Sequence, residues 1–371
     1  MTPDRSRDPR VVMTLDAGGT SLRFCAMRGN APVTERVVLP SEAQDLGRCL
    51  ANIVHGFTRT RDRCPEPPVA ISFGFPGPAD YRAGIIGDLP NLPAFRGGVA
   101  LGPMLEEKFA IPTFINNDGS LFAYGEAIAG FLPHVNGLLA AAGSSKRYAS
   151  LVGITLGTGL GGGIVCDGSP LLGDNSGAGQ IWLLRNKLER DTNAEEGACI
   201  RAVRRAYAQR AGIDVSQAPR PKDLFEIGTG ARPGHKAAAL EAFRRLGEVA
   251  GDALAQALTL VDGLGVVGGG IAGASSLFLP ALVDEMNGTY ADASGRRFRR
   301  LGPVVFNLED TAQREAFVRG GPREMAVPGS ARRVQTDALA RVGVGISRLG
   351  TSEAVSVGAY AFALQRLDGG R

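Results

Sequence analysis

Hydrophobic and polar positions alternate along most of the chain in two regular ways. Short apolar runs that end at glycine or proline are typical of buried strands, and segments with apolar residues three and four positions apart are typical of helices. Predicted strands cover residues 11–15, 24–27, 31–39, 69–75, 112–115, 151–156, 164–166, 264–267, 304–306 and 342–346. Predicted helices cover residues 41–60, 104–109, 121–128, 195–210, 236–261, 277–286 and 353–367. Strands interleaved with helices predict an α/β fold with parallel crossovers on mixed sheets.

The turn between the first two strands carries the first candidate chemistry. It runs from Asp16 through Gly18, Gly19 and Thr20. Glycines let the backbone take positive φ and approach a ligand closely, and the N–H groups of such a turn can surround an anion. A carboxylate beside a phosphate is repelled unless a cation lies between them, so Asp16 predicts Mg²⁺ held through water. An ordinary hairpin whose turn begins with aspartate explains the same residues.

A second glycine turn, at residues 157–162, repeats this strand, turn and strand pattern. Its sequence, Gly-Thr-Gly-Leu-Gly-Gly, also fits the dinucleotide fingerprint, but that fingerprint requires a helix directly after the glycines. Here residues 164–166 continue as a strand, which favours a phosphate-binding hairpin. Two such hairpins, each heading one half of the chain, predict a pair of duplicated α/β domains.

The predicted domain organisation follows from these hairpins and from the chain length of 371 residues. Residues 1–10 are polar and predict a frayed tail, and residues 11–130 form the first α/β domain. The second α/β domain covers residues 131–352 and contains an arginine-rich insertion at about 291–335. We expect the last helix, 353–367, to pack back on the first domain.

Composition excludes several classes of protein. A formal net charge of +4 is too small for the concentrated basic face of a nucleic-acid binder and suits a small anionic substrate. The five cysteines form no C-x-x-C pair, so neither a disulfide framework nor a zinc site is predicted. No apolar run reaches membrane-spanning length, and no hydrophobic leader is found. We expect a soluble protein of the cytoplasm.

Two further positions lie where strands end. Asp118 follows a strand and precedes a helix, so it could accept the proton of a substrate hydroxyl, or its segment could be a simple Asn-Asp helix cap. Gly268, Gly269 and Gly270 follow another strand and open a helix. Glycine there allows a nucleoside to lie against the backbone, or it allows a helix to pack closely on a strand.

Taken in order, these segments resemble the ROK family of sugar kinases and repressors, in the actin/hexokinase/Hsp70-like ATPase superfamily. The segments that carry the resemblance are Asp16 to Arg23, Asn91, Asn117-Asp118, Gly157 to Gly163 and Gly268 to Gly270. The resemblance implies two ribonuclease-H-like α/β domains with mixed sheets around a central cleft, the actin-like ATPase fold.

The resemblance also implies residue roles. Asp118 is similar to the catalytic base of the family, and Asn91 and Asn117 are similar to residues that contact sugar hydroxyls. The residues that resemble ATP- and phosphate-binding positions are Asp16, Gly18, Gly19, Thr20, Arg23, Gly157, Thr158, Gly159, Gly161, Gly268, Gly269 and Gly270.

The chain departs from the family pattern after the second turn. Where family members usually have Gly-Glu-Ile-Gly-His, this chain has Gly179-Gln180-Ile181-Trp182-Leu183, and the family's cysteine cluster is missing. Structural zinc is therefore not expected. Gln180 and one of Glu195 and Glu196 are candidates for contacting the sugar. We expect the departures from the family pattern to affect which sugar is bound.

The function that the resemblance implies is an ATP- and Mg²⁺-dependent kinase acting on the 6-hydroxyl of glucose or a related hexose. Its partners are a small sugar and a nucleotide, without nucleic acid or membrane, and a homodimer is common in the family. The alternatives are a kinase for N-acetylglucosamine or N-acetylmannosamine and a non-catalytic sugar or nucleotide sensor. A repressor of the family is disfavoured, because the first strand begins at about residue 11 and leaves no room for a helix-turn-helix domain.

Overall fold

The structure, a computed structural model, describes residues 5–18, 20–87 and 93–369, with Pro93 as backbone alone. The strands are β1 (Val12–Ala17), β2 (Ser21–Arg28), β3 (Ala31–Pro32), β4 (Val37–Pro40), β5 (Ala70–Gly74), β6 (Ala79–Asp80), β7 (Ile85–Ile86), β8 (Thr113–Asn116), β9 (Leu151–Leu156), β10 (Leu160–Cys166), β11 (Ser169–Pro170), β12 (Leu264–Gly268), β13 (Thr289–Ala291), β14 (Arg297–Arg299), β15 (Val304–Asn307), β16 (Pro322–Ala326), β17 (Arg333–Asp337) and β18 (Arg341–Ile346).

The helices alternate with these strands. They are α1 (Leu46–Arg61), α2 (Leu101–Phe109), α3 (Asp118–Ile128), α4 (Phe131–Ala141), α5 (Ile200–Ala211), α6 (Pro221–Thr229), α7 (Lys236–Val261), α8 (Ser275–Met286), α9 (Thr311–Arg319) and α10 (Thr351–Leu367). Short 3₁₀ turns lie at Pro93–Phe95, Ile181–Leu183, Ala194–Glu196, Val215–Gln217 and Ala272–Ala274. No helix in the described part of the chain is both long and apolar enough to cross a membrane.

Contacts divide the described residues into two compact units. Unit 1 contains the described parts of 1–130, 163–179 and 349–371, and unit 2 contains 131–162 and 180–348. Residues 163–179 belong with unit 1, although the sequence placed them in the second domain. A Cβ on Gly163 would lie 2.4 Å from the Gly119 carbonyl oxygen, so this segment packs directly on α3.

The sheet of unit 1 has the strand order β3-β2-β1-β5-β8, with β4 also paired to β2. β1 and β2 are antiparallel, whereas β1, β5 and β8 run parallel. Alternate residues of β1 face opposite sides of the sheet. Met13 and Leu15 pack in the core with α1 and α2, and Val12 packs with Val357 and Leu364 of α10.

Helices α3 and α10 lie closer together than side chains would normally allow. A Cβ on Gly125 would lie 1.9 Å from the Ala354 carbonyl oxygen, and a Cβ on Gly358 would lie 2.0 Å from the Leu121 carbonyl oxygen. Only glycine fits at such backbone contacts. The C-terminal helix therefore fixes the position of α3, whose first residue is Asp118.

The second six-stranded sheet has the order β11-β10-β9-β12-β18-β15. β12 runs parallel to β9 and β18, and β15 runs parallel to β18. Both large sheets thus combine a glycine-turn hairpin with a series of parallel strands. The predicted α/β class with mixed sheets is confirmed.

Several predicted elements need correction. The region predicted as an insertion contains β15, which is an edge strand of the second sheet, and α9; two ribbons, β13–β14 and β16–β17, flank them. The strand predicted at 31–39 is divided into β3 and β4. Helix α1 begins at residue 46 because Asp45 accepts the Arg48 N–H as its N-cap.

Candidate active site

The first glycine turn is closed by its own backbone. The Gly18 N–H donates to the Ser21 carbonyl oxygen at 2.9 Å, and a Cβ on Gly18 would lie 3.1 Å from that oxygen. The Thr20 carbonyl oxygen accepts from the Ser41 N–H at 3.2 Å. Gly19, predicted for this turn, and Asn91, predicted to contact sugar, lie outside the described residues.

Asp16 is the next-to-last residue of β1, beside this turn, and keeps 27% of its side chain exposed. Ser352, in the first turn of α10, donates its hydroxyl to Asp16 Oδ2 at 2.8 Å. The Arg23 guanidinium lies 3.4 Å from the same oxygen. Two of the candidate positions, Asp16 and Arg23, therefore lie together, and sequence reasoning missed Ser352.

Asp118 is the first residue of α3, and Asn117 is the N-cap. Asn117 Oδ1 accepts from the N–H groups of Gly119 at 2.9 Å and Ser120 at 3.3 Å. The helix-cap alternative thus applies to Asn117 and leaves the Asp118 carboxylate available for another role. Asp118 Oδ1 accepts only locally, from the Gly119 N–H at 2.9 Å, among the bonds found in the described structure.

The Asp118 carboxyl is accessible to water but has protein packed around it. That desolvation raises its pKa above the ordinary value, and the negative charge of Asp16 raises the pKa further, while the Gly119 N–H opposes both effects. A carboxylate with a raised pKa accepts a proton more readily.

Gly74, the last residue of β5, supports Asp118 from the neighbouring strand. A Cβ on Gly74 would lie 3.2 Å from Asp118 Cα and 3.2 Å from Val355 Cγ1 of α10. These contacts are tighter than ordinary carbon–carbon contacts, which begin at about 3.5 Å. The absence of a side chain at Gly74 therefore determines where Asp118 sits.

The second glycine turn, in unit 2, is braced by charged side chains. The Gly157 N–H donates to the Gly159 carbonyl oxygen at 3.0 Å. Glu195 Oε2 accepts from the Leu160 N–H at 3.0 Å and would lie 2.4 Å from a Cβ on Gly159. Arg201 joins the network by donating to the Thr158 carbonyl oxygen at 3.1 Å and to Glu195 Oε1 at 3.2 Å.

The two neighbouring glutamates have different roles in this network. Glu195 holds the turn, whereas Glu196 pairs with Arg201 at 3.0 Å and Arg205 at 3.2 Å. The two arginines hold the pKa of Glu196 below its usual value. Contact of either glutamate with a sugar stays a prediction. Gly161 lies inside β10 and not in the turn itself.

The three glycines at the end of β12 differ in their surroundings, and contact with a nucleoside stays a prediction. Gly269 has φ +91° and its Cβ would lie 2.3 Å from the Leu156 carbonyl oxygen, so close packing against β9 requires glycine. A Cβ on Gly270 would meet nothing within 4 Å, so its backbone borders open space. Gly268 ends β12, beside Thr155 of β9, and this places the three glycines near the strand that leads into the second turn.

The other candidate positions carry less information. Gln180 precedes the Ile181–Leu183 turn, is exposed and makes no capping bond. Within the described ranges, no group of three or more His, Cys, Asp or Glu side chains is placed to hold a metal ion.

Comparison with known proteins places this geometry in a family. The sequence profile described as the ROK family matches residues 12–301. The chain belongs to the ROK family. The predicted resemblance is confirmed.

Solved structures of glucokinases share the fold over most of the chain. The crystal structure of a glucokinase from Parabacteroides distasonis is 53% identical, covers 97% of this chain and 99% of its own, and has a TM-score of 0.87. A ROK family glucokinase from Streptomyces griseus, in complex with glucose and AMPPNP, is 18% identical, with coverages of 94% and 98% and a TM-score of 0.61. The actin-like ATPase fold that the resemblance implied is therefore confirmed.

Curated relatives match a shorter stretch. An N-acetyl-D-glucosamine kinase from Vibrio cholerae is 32% identical over 173 residues, 46% of this chain and 51% of that protein. A glucokinase from Halalkalibacterium halodurans is 29% identical over 171 residues, 45% of this chain and 47% of that protein. The match spans about half the length of these ROK relatives.

Proposed function

We propose that this ROK protein is an ATP-dependent kinase that phosphorylates a hydroxyl group of a hexose. The observation that carries the proposal is the position of Asp118, the first residue of α3, where its backbone packs against Gly74 at the end of β5. Its fold relatives named above include glucokinases, which supports a sugar hydroxyl as the acceptor.

In the proposed reaction, Asp118 accepts the proton of the attacking hydroxyl. The hydroxyl oxygen bonds to the γ-phosphorus of ATP while the bond from that phosphorus to the β-phosphate oxygen breaks, which leaves ADP and a sugar phosphate. Asn117 orients the sugar beside Asp118, and Asn91 is expected to assist. Positioning and stabilisation of charge supply most of the rate enhancement in phosphoryl transfer.

The two glycine turns are the proposed phosphate-binding elements of the two units. Backbone N–H groups of Gly19 and Thr20 serve in unit 1 and that of Thr158 serves in unit 2, whereas the Gly18 and Gly157 N–H groups close the turns by bonding within them. Arg23 adds positive charge to the first turn. Gly270, whose backbone borders open space, is the proposed contact for the nucleoside.

The residues around Asp16 fit Mg²⁺. Mg²⁺ prefers carboxylate oxygens and retains several waters, and Asp16 is a partly exposed carboxylate at a phosphate-binding turn. Bound there through water, the ion would neutralise phosphate charge. Ser352 fixes the orientation of Asp16 through its 2.8 Å hydrogen bond.

Glucose is the first candidate substrate, and N-acetylglucosamine and N-acetylmannosamine follow. ADP release should be measured across glucose, fructose, mannose, glucosamine and the N-acetylhexosamines, with ATP and Mg²⁺. Release that depends on one of these sugars is the expected result. Binding of a sugar without ADP release would instead support the alternative, a non-catalytic sensor.

The remaining parts of the proposal concern the whole protein. We place it in the cytoplasm and expect a homodimer, as is common in the family. Light scattering after size-exclusion chromatography measures the oligomeric state, because a dimer has twice the mass of the 38.7 kDa monomer.

A further inference from the structure

A cavity lies within unit 1, beside β8, the strand that immediately precedes Asn117 and Asp118. Its volume is about 420 Å³. The walls come from β8, the start of α3, the end of α10, and the loops that contain Tyr81 and Asp174. A cavity of this volume falls in the range of small-molecule sites, which is about 300–1,000 Å³.

Two residues that line the cavity each carry a buried side-chain polar atom for which no hydrogen-bond partner is found within the described residues. These atoms are the Thr113 hydroxyl oxygen and the Asn116 amide nitrogen. Thr113 is 8% exposed and Asn116 is 3% exposed, so water satisfies neither group readily. A buried polar group without a partner is costly, and a ligand that bonds to it recovers that cost.

The charged side chains that line this cavity are two arginines and one aspartate. The Asn116 amide and the Thr113 hydroxyl can donate, and Arg82 and Arg366 stand at the exposed rim. The one carboxylate among the lining residues, Asp174, is fully exposed and lies 3.8 Å from Arg82. The arrangement favours a ligand that presents acceptor oxygens and negative charge.

The apolar part of the wall sets a second requirement. The Phe114 and Phe362 rings meet edge to face at a centroid distance of 6.4 Å, and Leu172 also lines the cavity. Such a wall packs against an apolar skeleton. The chemistry therefore points to an organic anion and not to a free inorganic ion.

The same wall holds Asn117 in place. The Asn117 N–H donates to Asn116 Oδ1 at 2.7 Å, its Nδ2 donates to the Tyr81 hydroxyl at 3.4 Å, and its Oδ1 accepts from the Ser120 N–H at 3.3 Å. Asn116, Tyr81 and Ser120 all line the cavity. A ligand that moves any of them changes the orientation of Asn117.

We propose that this cavity, bounded by Thr113, Asn116 and Arg366, binds a small organic anion, a carboxylate or a phosphate ester with an apolar body. Its occupancy changes the affinity of the protein for sugar through Asn117. Binding of the anion does not depend on the proposed kinase function. The coupling to sugar does rest on that proposed function, because it requires that the protein binds a sugar.

Calorimetric titration of the full chain with benzoate and with phenyl phosphate tests the class of ligand, and benzamide is the neutral control of matched shape. We expect saturable binding of at least one anion, and binding of benzamide weaker by roughly tenfold or more. The two anions distinguish a carboxylate from a phosphate ester as the preferred group. Absence of saturable binding of either anion up to about 10 mM overturns the proposal.

Two variants locate the binding. Arg366→Met removes a rim charge and Thr113→Val removes the hydroxyl at nearly constant shape, and each should weaken anion binding by roughly tenfold. Arg59→Met, an exposed arginine of α1, is the matched control and should leave binding unchanged. Thr113→Val should also raise the melting temperature of the free protein, because it removes an unpaired buried hydroxyl.

Contrary outcomes are equally specific. Anion binding that survives both cavity variants, or that disappears when AMPPNP is present at saturation, places the anion elsewhere and overturns the assignment. Calorimetry of glucose with and without the anion measures the coupling. An unchanged glucose affinity, in a protein that binds both, overturns the role of Asn117 without bearing on whether the protein is a kinase.

Discussion

Gly74→Ala would displace the proposed base without changing any group that takes part in the reaction. The added Cβ lies 3.2 Å from Asp118 Cα and 3.2 Å from Val355 Cγ1, and ordinary carbon–carbon contact begins at about 3.5 Å. Asp118 must therefore move by roughly 0.3–0.5 Å, because Val355 blocks the opposite direction.

The expected consequence is a loss of rate with a moderate loss of stability. A misplacement of about 1 Å costs on the order of 10²-fold, so a shift of this size should lower kcat roughly three- to tenfold. Overpacking costs about 1–3 kcal/mol, and the lower entropy of the unfolded chain with alanine returns about 0.4–1 kcal/mol. The net destabilisation should stay below about 2.5 kcal/mol.

The assay is steady-state ADP release combined with urea unfolding. Gly137→Ala, in α4, is the matched control, since its Cβ meets nothing within 4 Å and its kcat should be unchanged. Gly74→Ala combined with Val355→Ala should regain part of the lost kcat, because the new Cβ can then move toward α10. An unchanged kcat in Gly74→Ala, or a double variant that regains nothing, would refute the reasoning.

Three further predictions address Asp16, the glycine that follows β12 and the pH dependence. Ser352→Ala should raise the Mg²⁺ concentration needed for half-maximal rate, because Asp16 loses its 2.8 Å hydrogen bond, and Ser352→Thr should restore it; equal Mg²⁺ dependence in all three proteins counts against this role. Gly269→Ala should lower the melting temperature strongly, since φ is +91° and the Cβ meets the Leu156 carbonyl oxygen at 2.3 Å; a stable variant contradicts the close packing. The raised pKa of Asp118 means that kcat/KM should fall as the solution is acidified, with an apparent pKa above the ordinary 3.8, because only the ionised carboxylate accepts a proton; a rate independent of pH down to 3.8 opposes this.

The strands and turns near the site were predictable because their patterns are local. An apolar run followed by glycine identifies β1, β9 and β12 whatever the rest of the chain does. Helix α4 was missed because Pro133 and Gly137 lie within it and break the usual helical pattern. Strand β15 was taken for part of an insertion, since sequence does not reveal that it pairs with β18.

The contacts that hold the site together could not be predicted from local sequence patterns, because they join residues that are far apart in the chain. Ser352 lies 336 positions from Asp16, and no periodicity indicates that the first turn of α10 meets the end of β1. Glu195 was identified as a functional candidate, but its bond to the Leu160 N–H spans 35 positions and depends on a 3₁₀ turn. The tertiary structure assigns such partners, whereas the sequence only supplies their chemical types.

The measurement that tests the central claim most directly is the turnover of Asp118→Asn beside the wild-type chain. Asparagine preserves the shape and leaves the Asn117 cap intact, so the melting temperature should stay close to that of the wild type. Because the amide cannot accept the proton, sugar-dependent ADP release should fall by about 10²-fold or more. Turnover near the wild-type value in the folded variant would contradict the assignment of Asp118 as the base.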